Sequence, residues 1–185
     1  MNTPNKITLF RMFIAPIFLV IYILDIKYKM LISALIFAVG AVTDAIDGKL
    51  ARKNNIVTNF GKLLDPIADK VLVTAGFLAL MNDGLCNIWI VMLMLTREFA
   101  VTSVRLIAAA QGVVIPANIG GKIKTIAQMV SLIFVMVIGE VNDICELGLP
   151  LSVISNILLG ITAVISVVSG LVYISDSRKV IDFKS

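Results

Sequence analysis

Residues 30–81 read MLISALIFAVGAVTDAIDGKLARKNNIVTNFGKLLDPIADKVLVTAGFLALM, an apolar run at each end with all four aspartates and all five basic residues confined to the interval from Asp44 to Lys70. Each apolar run has the length and composition of a helix, so the stretch reads as a helical hairpin: residues 30–53 going in, residues 60–81 returning antiparallel. The charged segment joins them. Burying a carboxylate in or beside hydrocarbon is costly unless a cation, a partner or water receives it, so acids placed at the inner ends of two such helices mark a functional site.

Outward from the hairpin the rest of the chain repeats its character. Of 185 residues, 59% are hydrophobic and 15% charged, where an ordinary soluble domain has roughly a quarter charged. Apolar runs are centred on residues 12–26, 30–45, 67–81, 87–110, 125–139 and 150–174, each near the roughly 20 residues that cross a bilayer as a helix. The fold expected is therefore all-α, an integral membrane bundle of six transmembrane helices forming one domain over residues 1–185. The first run follows Lys6 and Arg11 in the manner of a secretory signal, but it is long and lacks a small-residue cleavage pattern, so it is read as a retained helix.

With both termini cytoplasmic, the outer loops fall near residues 25–30, 81–87 and 139–149. Only Lys27 and Lys29 of the 16 basic residues then lie outside, together with Asp83, Glu140, Asp143 and Glu146. This multi-pass orientation in the cell membrane turns the Asp44–Lys70 segment toward the cytosol. The net charge of +4 fits that asymmetry and anionic lipid headgroups, and no aromatic pattern for nucleic acid accompanies it. Cys86 and Cys145 both fall in outer loops, either as two free thiols or as a bridge.

On helices, Asp44, Asp47, Gly48 and Ala51 share a face about 100° wide, and Asp65 and Asp69 stand about 40° apart. Side-chain roots three and four residues apart lie within about 5–6 Å, a separation that divalent cations bridge with oxygen ligands. Small residues among the acids leave room for an extended ligand, or else mark close helix packing. Hard cations held by carboxylates with positions left open favour phosphate oxygens and phosphoryl transfer. The chain contains no histidine, which excludes imidazole bases and ordinary zinc sites, so any general base is a carboxylate. A structural ion-pair network with Lys49, Arg52, Lys62 and Lys70, an ion-coupled transporter and a structural scaffold are the alternatives for the same residues.

The pattern Asp44, Asp47, Gly48, Ala51, Arg52, Gly61, Asp65, Asp69 resembles the full signature of the CDP-alcohol phosphotransferase family, with every position filled. The resemblance implies a six-helix bundle with a cytosol-facing active-site cavity. It also implies transfer from a CDP-linked lipid such as CDP-diacylglycerol to a small alcohol, with release of CMP, and a homodimer. By position, Asp44, Asp47 and Asp65 would ligate two divalent ions, Mg2+ or Mn2+, with Asp69 near the second ion and acting as base. Gly48, Ala51, Arg52 and Gly61 would border the nucleotide and diphosphate. In the segment PNKITLFR (residues 4–11), Asn5 and Thr8, with Arg11, would lie along the donor; a helix start and an interfacial anchor explain Thr8 and Arg11 equally well.

The acceptor is read from residues 95–125, LTREFAVTSVRLIAAAQGVVIPANIGGKIKT. Arg97 sits inside an apolar run, Arg105 lies two turns on, and Lys122 and Lys124 open the next helix after a Gly-Gly turn. Four cations lining one cytosolic pocket suit a phosphate on the acceptor. The alternatives are positive-inside flanks for the two lysines and an ion pair between Arg97 and Glu98. This stretch resembles the TRE...R...GKxKT region of the family branch whose acceptor is glycerol 3-phosphate, departing from it at Asn118, where a serine is common. Inositol phosphate, serine and phosphatidylglycerol are the other acceptors the family resemblance allows.

Overall fold

The computed structural model describes the backbone of residues 3–54, 59–111, 113 and 119–178, and the side chains of residues 12–43, 70–111, 113 and 119–178. Among these described residues the chain forms six α-helices: α1 (Thr3–Ile23), α2 (Lys29–Asn54), α3 (Asn59–Asn82), α4 (Ile88–Ala110), α5 (Ile119–Cys145) and α6 (Leu151–Ser177). The hairpin read from residues 30–53 and 60–81 is thus α2 and α3. Two helices, α5 and α6, are long and apolar enough to cross a membrane by length and composition, with mean hydropathies of 1.7 and 2.4.

The distribution of polarity is inverted relative to a water-soluble bundle. Phe13, Val39, Trp89, Phe99, Ile126 and Leu171 are exposed, while Ser33, Lys124, Gln128, Glu140, Ser155 and Ser166 are buried. A surface of this kind is stable against lipid, where apolar exposure carries no penalty, and Lys124, Gln128 and Glu140 find partners between helices. Phe18, Tyr22 and Phe37 form the aromatic centre of the main core, with Phe18 and Phe37 edge to face at 5.7 Å.

Helix α1 packs along both α2 and α3, α2 along α5, and α6 along both α4 and α5, whereas α3 touches α4 and α5 at few points. Small residues set the close approaches. A Cβ added at Gly40 would stand 2.8 Å from Leu72 Cδ2, one at Gly76 would stand 2.9 Å from Leu132 Cδ1 and 3.0 Å from Phe37 Cε2, and one at Gly139 would stand 2.6 Å from Met30 Sδ. Among the described residues no such glycine contact joins α3 to α4, and their sparse seam leaves a cavity.

Two boundaries differ from the sequence reading. Helix α5 runs through Cys145 instead of giving way to a loop at residue 139, because Glu140 has a helical use: its Oε2 accepts hydrogen bonds from the backbone N–H groups of Met30 (2.9 Å) and Leu31 (3.3 Å). Those are unpaired donors at the start of α2, where a carboxylate is also favoured by the helix dipole. At the other end, α5 begins at Ile119 and takes Gly120 and Gly121 into its first turn, so no Gly-Gly turn separates it from Lys122.

The corner between α3 and α4 turns through Gly84 at φ 71°. Asn87 caps α4 by accepting from the Trp89 N–H at 2.9 Å, and its own N–H donates to Asn156 of α6 at 2.7 Å. Both cysteines are free thiols, Cys86 buried in this corner and Cys145 exposed. Burial pushes the Cys86 thiol up to about 11.

Three outcomes follow from this packing. Gly76→Val forces a side chain between Leu132 and Phe37 and should destabilise by about 1–3 kcal/mol, lowering Tm in detergent by several degrees. Gly160→Val, whose added Cβ meets nothing within 4 Å, should change stability by no more than about 0.5 kcal/mol. A maleimide at pH 8 should label Cys145 rapidly and Cys86 only on denaturation, since at a pKa near 11 about one Cys86 thiol in a thousand is ionised; equal labelling rates contradict the burial.

Candidate active site

The cavity left between α3 and α4 has a volume of about 570 Å³ and is walled by α1, α3, α4 and α5, within the size range of ordinary small-molecule sites. Its walls are graded in polarity. Ala15, Leu19, Phe77 and Val91 supply apolar surface, and Lys70, Glu98, Lys124, Thr125 and Gln128 supply the polar part. The grading follows from helix periodicity: Met94 and Glu98 are one turn apart on α4, as Lys124 and Gln128 are on α5, so each helix presents a charged layer and then a softer one. Gln128 is buried and donates through Nε2 to Met94 Sδ at 2.8 Å.

At the charged layer, one carboxylate meets cations from three helices. Glu98 Oε2 accepts from Lys70 Nζ of α3 at 3.0 Å, while Glu98 Oε1 accepts from Arg97 Nη1 at 3.2 Å and from Lys124 Nζ of α5. The side chains of Arg97 and Lys124 are only 10% and 6% exposed. Arg97 is also anchored on α6, donating from Nε to the Ser166 carbonyl at 3.1 Å and from Nη2 to Ser169 Oγ at 2.9 Å. It passes directly over Gly170, where a Cβ would stand 2.8 Å from Arg97 Cγ and 3.0 Å from Nε. Gly170 therefore belongs to this site as well as to helix packing, whereas Gly160 has no such neighbour.

The four cations singled out for an acceptor phosphate are divided between two settings. Lys124 is buried and lines the cavity, and Arg97, half-buried, is joined to it through Glu98. Arg105 and Lys122 are exposed. Arg105 donates from Nε to the Tyr173 hydroxyl at 3.1 Å, with its guanidinium carbon 5.1 Å from the ring centroid. The Arg97–Glu98 ion pair weighed as an alternative is present, and it is one part of a larger cluster.

Asp44, Asp47, Gly48, Ala51 and Arg52 lie on α2, and Gly61, Asp65 and Asp69 on α3, as the hairpin reading requires. Asn5, Thr8 and Arg11 lie on α1. The side chains of all of these fall outside the described residues. Asp69 precedes Lys70 in α3, which ties the acid motif in sequence to the Glu98 cluster. The sequence reading missed Ser166, Ser169 and Tyr173. Their signal was the spacing Ser166, Ser169, Gly170, Tyr173 in α6, positions i, i+3, i+4 and i+7, which put polar and small residues on one face of an otherwise apolar helix.

Comparison with known proteins bears on the whole chain. The profile of the CDP-alcohol phosphatidyltransferase family matches residues 1–169. A protein of Bacillus subtilis named CDP-diacylglycerol--glycerol-3-phosphate 3-phosphatidyltransferase is 39% identical to this chain, with 94% of each covered. Proteins of the same name from Rickettsia bellii and Salmonella paratyphi A are 33% and 38% identical, covering 96% and 73% of this chain and 96% and 76% of their own. The likeness extends well beyond the aspartate motif, through the helices that build the cavity and the Glu98 cluster, and the chain belongs to the CDP-alcohol phosphatidyltransferase family.

Proposed function

We propose that the protein transfers the phosphatidyl group of CDP-diacylglycerol to sn-glycerol 3-phosphate, giving phosphatidylglycerol phosphate and CMP. The observation that carries this reading is the cation cluster at the polar part of an otherwise apolar cavity, where Lys70 and Lys124 line the wall and Arg97 joins them through Glu98. Arginine forks and lysine point charges are the usual binders of phosphate, and an apolar wall beside them suits a substrate that is half lipid. The names of the relatives from Bacillus and Rickettsia state the same donor and acceptor.

In this reading residues 1–185 are one domain of six transmembrane helices in the cell membrane, with both termini and the cavity mouth on the cytosolic side. The apolar outer surface and the concentration of basic residues at one end of the bundle support it. Lipid surrounds the bundle, and a homodimer is the expected assembly.

The acid motif supplies the catalytic groups. Asp44, Asp47, Asp65 and Asp69 form an all-carboxylate donor set at helical spacing, which suits Mg2+ or Mn2+ and fits poorly with softer metals. Two such ions, when bound, neutralise the diphosphate of the donor. Asn5, Thr8, Gly48, Ala51, Arg52 and Gly61 border the CDP portion. Arg97 and Lys124 hold the acceptor's phosphate, with Arg105 and Lys122 on the approach to it. Asp69 takes the proton from the primary hydroxyl of glycerol 3-phosphate as that oxygen bonds to the lipid-bearing phosphorus. The bond from this phosphorus to the bridging oxygen breaks, and CMP leaves with that oxygen.

Detergent-purified protein supplied with CDP-diacylglycerol should release CMP only when a divalent cation and glycerol 3-phosphate are both present. Inositol phosphate, serine and phosphatidylglycerol, offered separately, should give no release above background; release with one of these alone replaces the acceptor assignment and keeps the aspartate chemistry. Asp69→Asn should lower kcat by at least about a hundredfold, the scale of a lost general base, while CDP with Mg2+ still raises Tm. An active Asp69→Asn enzyme would remove Asp69 from that role.

A further inference from the structure

Glu98 has no part in the acceptor-binding set itself, yet every described contact among Lys70, Arg97 and Lys124 runs through its carboxylate. We propose that Glu98 is a positioning residue that stands in for the acceptor's phosphate: its carboxylate gathers the three cations while the acceptor is absent, then yields Arg97 and Lys124 to the phosphate when it enters. The inference rests on the acceptor reading given above and adds to it the residue that prepares the pocket.

Three features of the geometry lead to this role. The first is the pattern of bonding. Oε1 is shared by two cations and Oε2 takes the third, the arrangement of an anion surrounded by donors on several sides. A phosphate monoester presents three strongly accepting oxygens in a similar span, so it can take over the same donors. The second is accessibility: Lys70, Glu98 and Lys124 all line the cavity, so an anion in that space meets the cluster directly.

The third is the unequal anchoring of the partners. Arg97 makes one contact to Glu98 and two to α6, through the Ser166 carbonyl and the Ser169 hydroxyl, and is wedged over Gly170. When Glu98 releases it, the guanidinium keeps its place. Glu98 itself sits on α4, one residue beyond Arg97, with its carbonyl accepting from Thr102 Oγ1 at 2.8 Å, so in this proposal only its side chain turns to release the cations. Lys70, held by the other carboxylate oxygen at 3.0 Å, follows Asp69 directly in α3. The same carboxylate that holds the cations together therefore also bonds the residue next to the proposed base.

A competing carboxylate and a positioning carboxylate have opposite effects on two measurable quantities, which separates this role from a purely structural ion pair. In Glu98→Gln the neutral amide no longer competes for Arg97 and Lys124, so inorganic phosphate should bind about tenfold more tightly, the scale of one charge-assisted hydrogen bond. Binding is read from the rise in Tm with phosphate concentration, in the presence of CDP and Mg2+. Turnover with glycerol 3-phosphate should show a kcat lower by about tenfold to a hundredfold, from loss of alignment, with a KM that is unchanged or lower.

A merely structural role predicts weaker phosphate binding and a raised KM, and either result overturns the proposal, as does phosphate binding equal to that of the wild type. Glu98→Asp serves if the amide variant does not fold: its shorter carboxylate cannot span all three cations, so phosphate binding should tighten about threefold, and equal or weaker binding overturns the proposal. A wild type that is stabilised by CDP and Mg2+ but not by phosphate overturns the acceptor reading itself, and the stand-in role with it. Wild-type stabilisation by phosphate without tightening in the variants overturns the role of Glu98 alone.

Discussion

The side chains of Arg97 and Lys124, only 10% and 6% exposed, lie inside a bundle whose outer surface is apolar, and an unpaired cation in such a place costs several kcal/mol. Much of the described arrangement around the cavity meets that constraint. Glu98 lies where α3, α4 and α5 can each bring a cation to it, and Arg97 crosses to α6 for two further acceptors. Gly170 has no side chain because the arginine stem runs through the space one would fill. The polar atoms are thus a condition of how these helices meet, since α3 approaches α4 and α5 at few points and the ion pairs span what packing does not.

The opposite end of the bundle meets a related constraint with a different device. A buried carboxylate, Glu140, faces backbone N–H groups at the start of α2, and Gly139 beside it lets Met30 approach. This fixes α2 against α5, while α1 fills the angle between α2 and α3. The pairs α1–α2, α1–α3 and α2–α5 are therefore closed along their length. The α3–α4 seam stays open, so that a cavity persists in an otherwise tightly packed bundle.

Six helices were legible in the sequence because apolar runs of 15 residues or more leave little choice of element, and the hairpin bounds at residues 30–53 and 60–81 came within one residue of α2 and α3. The ends of α5 were less legible. Glu140 looks like a loop residue until its partner on α2, more than a hundred positions away, is known, and Gly120 and Gly121 look like a turn although a helix start tolerates them. The aspartates were legible as a motif because their spacing is local to two helices. Glu98 was visible only as a neighbour of Arg97, since its connections to Lys70 and Lys124 depend on how three helices cross. The separation of Arg105 from Arg97 has the same origin: about 80° of helix rotation is enough to point one at Glu98 and leave the other against Tyr173.

The order of layers within the cavity also bears on why chemistry with a lipid donor is conducted at a helix hairpin of this type. A phosphatidyl donor passes from a charged headgroup through ester groups to hydrocarbon, and away from the charged layer the wall presents Gln128 with Met94, then Phe77, Leu19 and Val91. Matching layers remove the need to draw the lipid out of an apolar environment before reaction, which would forfeit roughly 0.8 kcal/mol for each methylene exposed. Charge then has to be delivered to the substrate at the edge of the apolar region. The arrangement here places side chains at that edge that are already paired, and in the proposed reading an arriving acceptor phosphate exchanges one anionic partner for another instead of meeting bare cations.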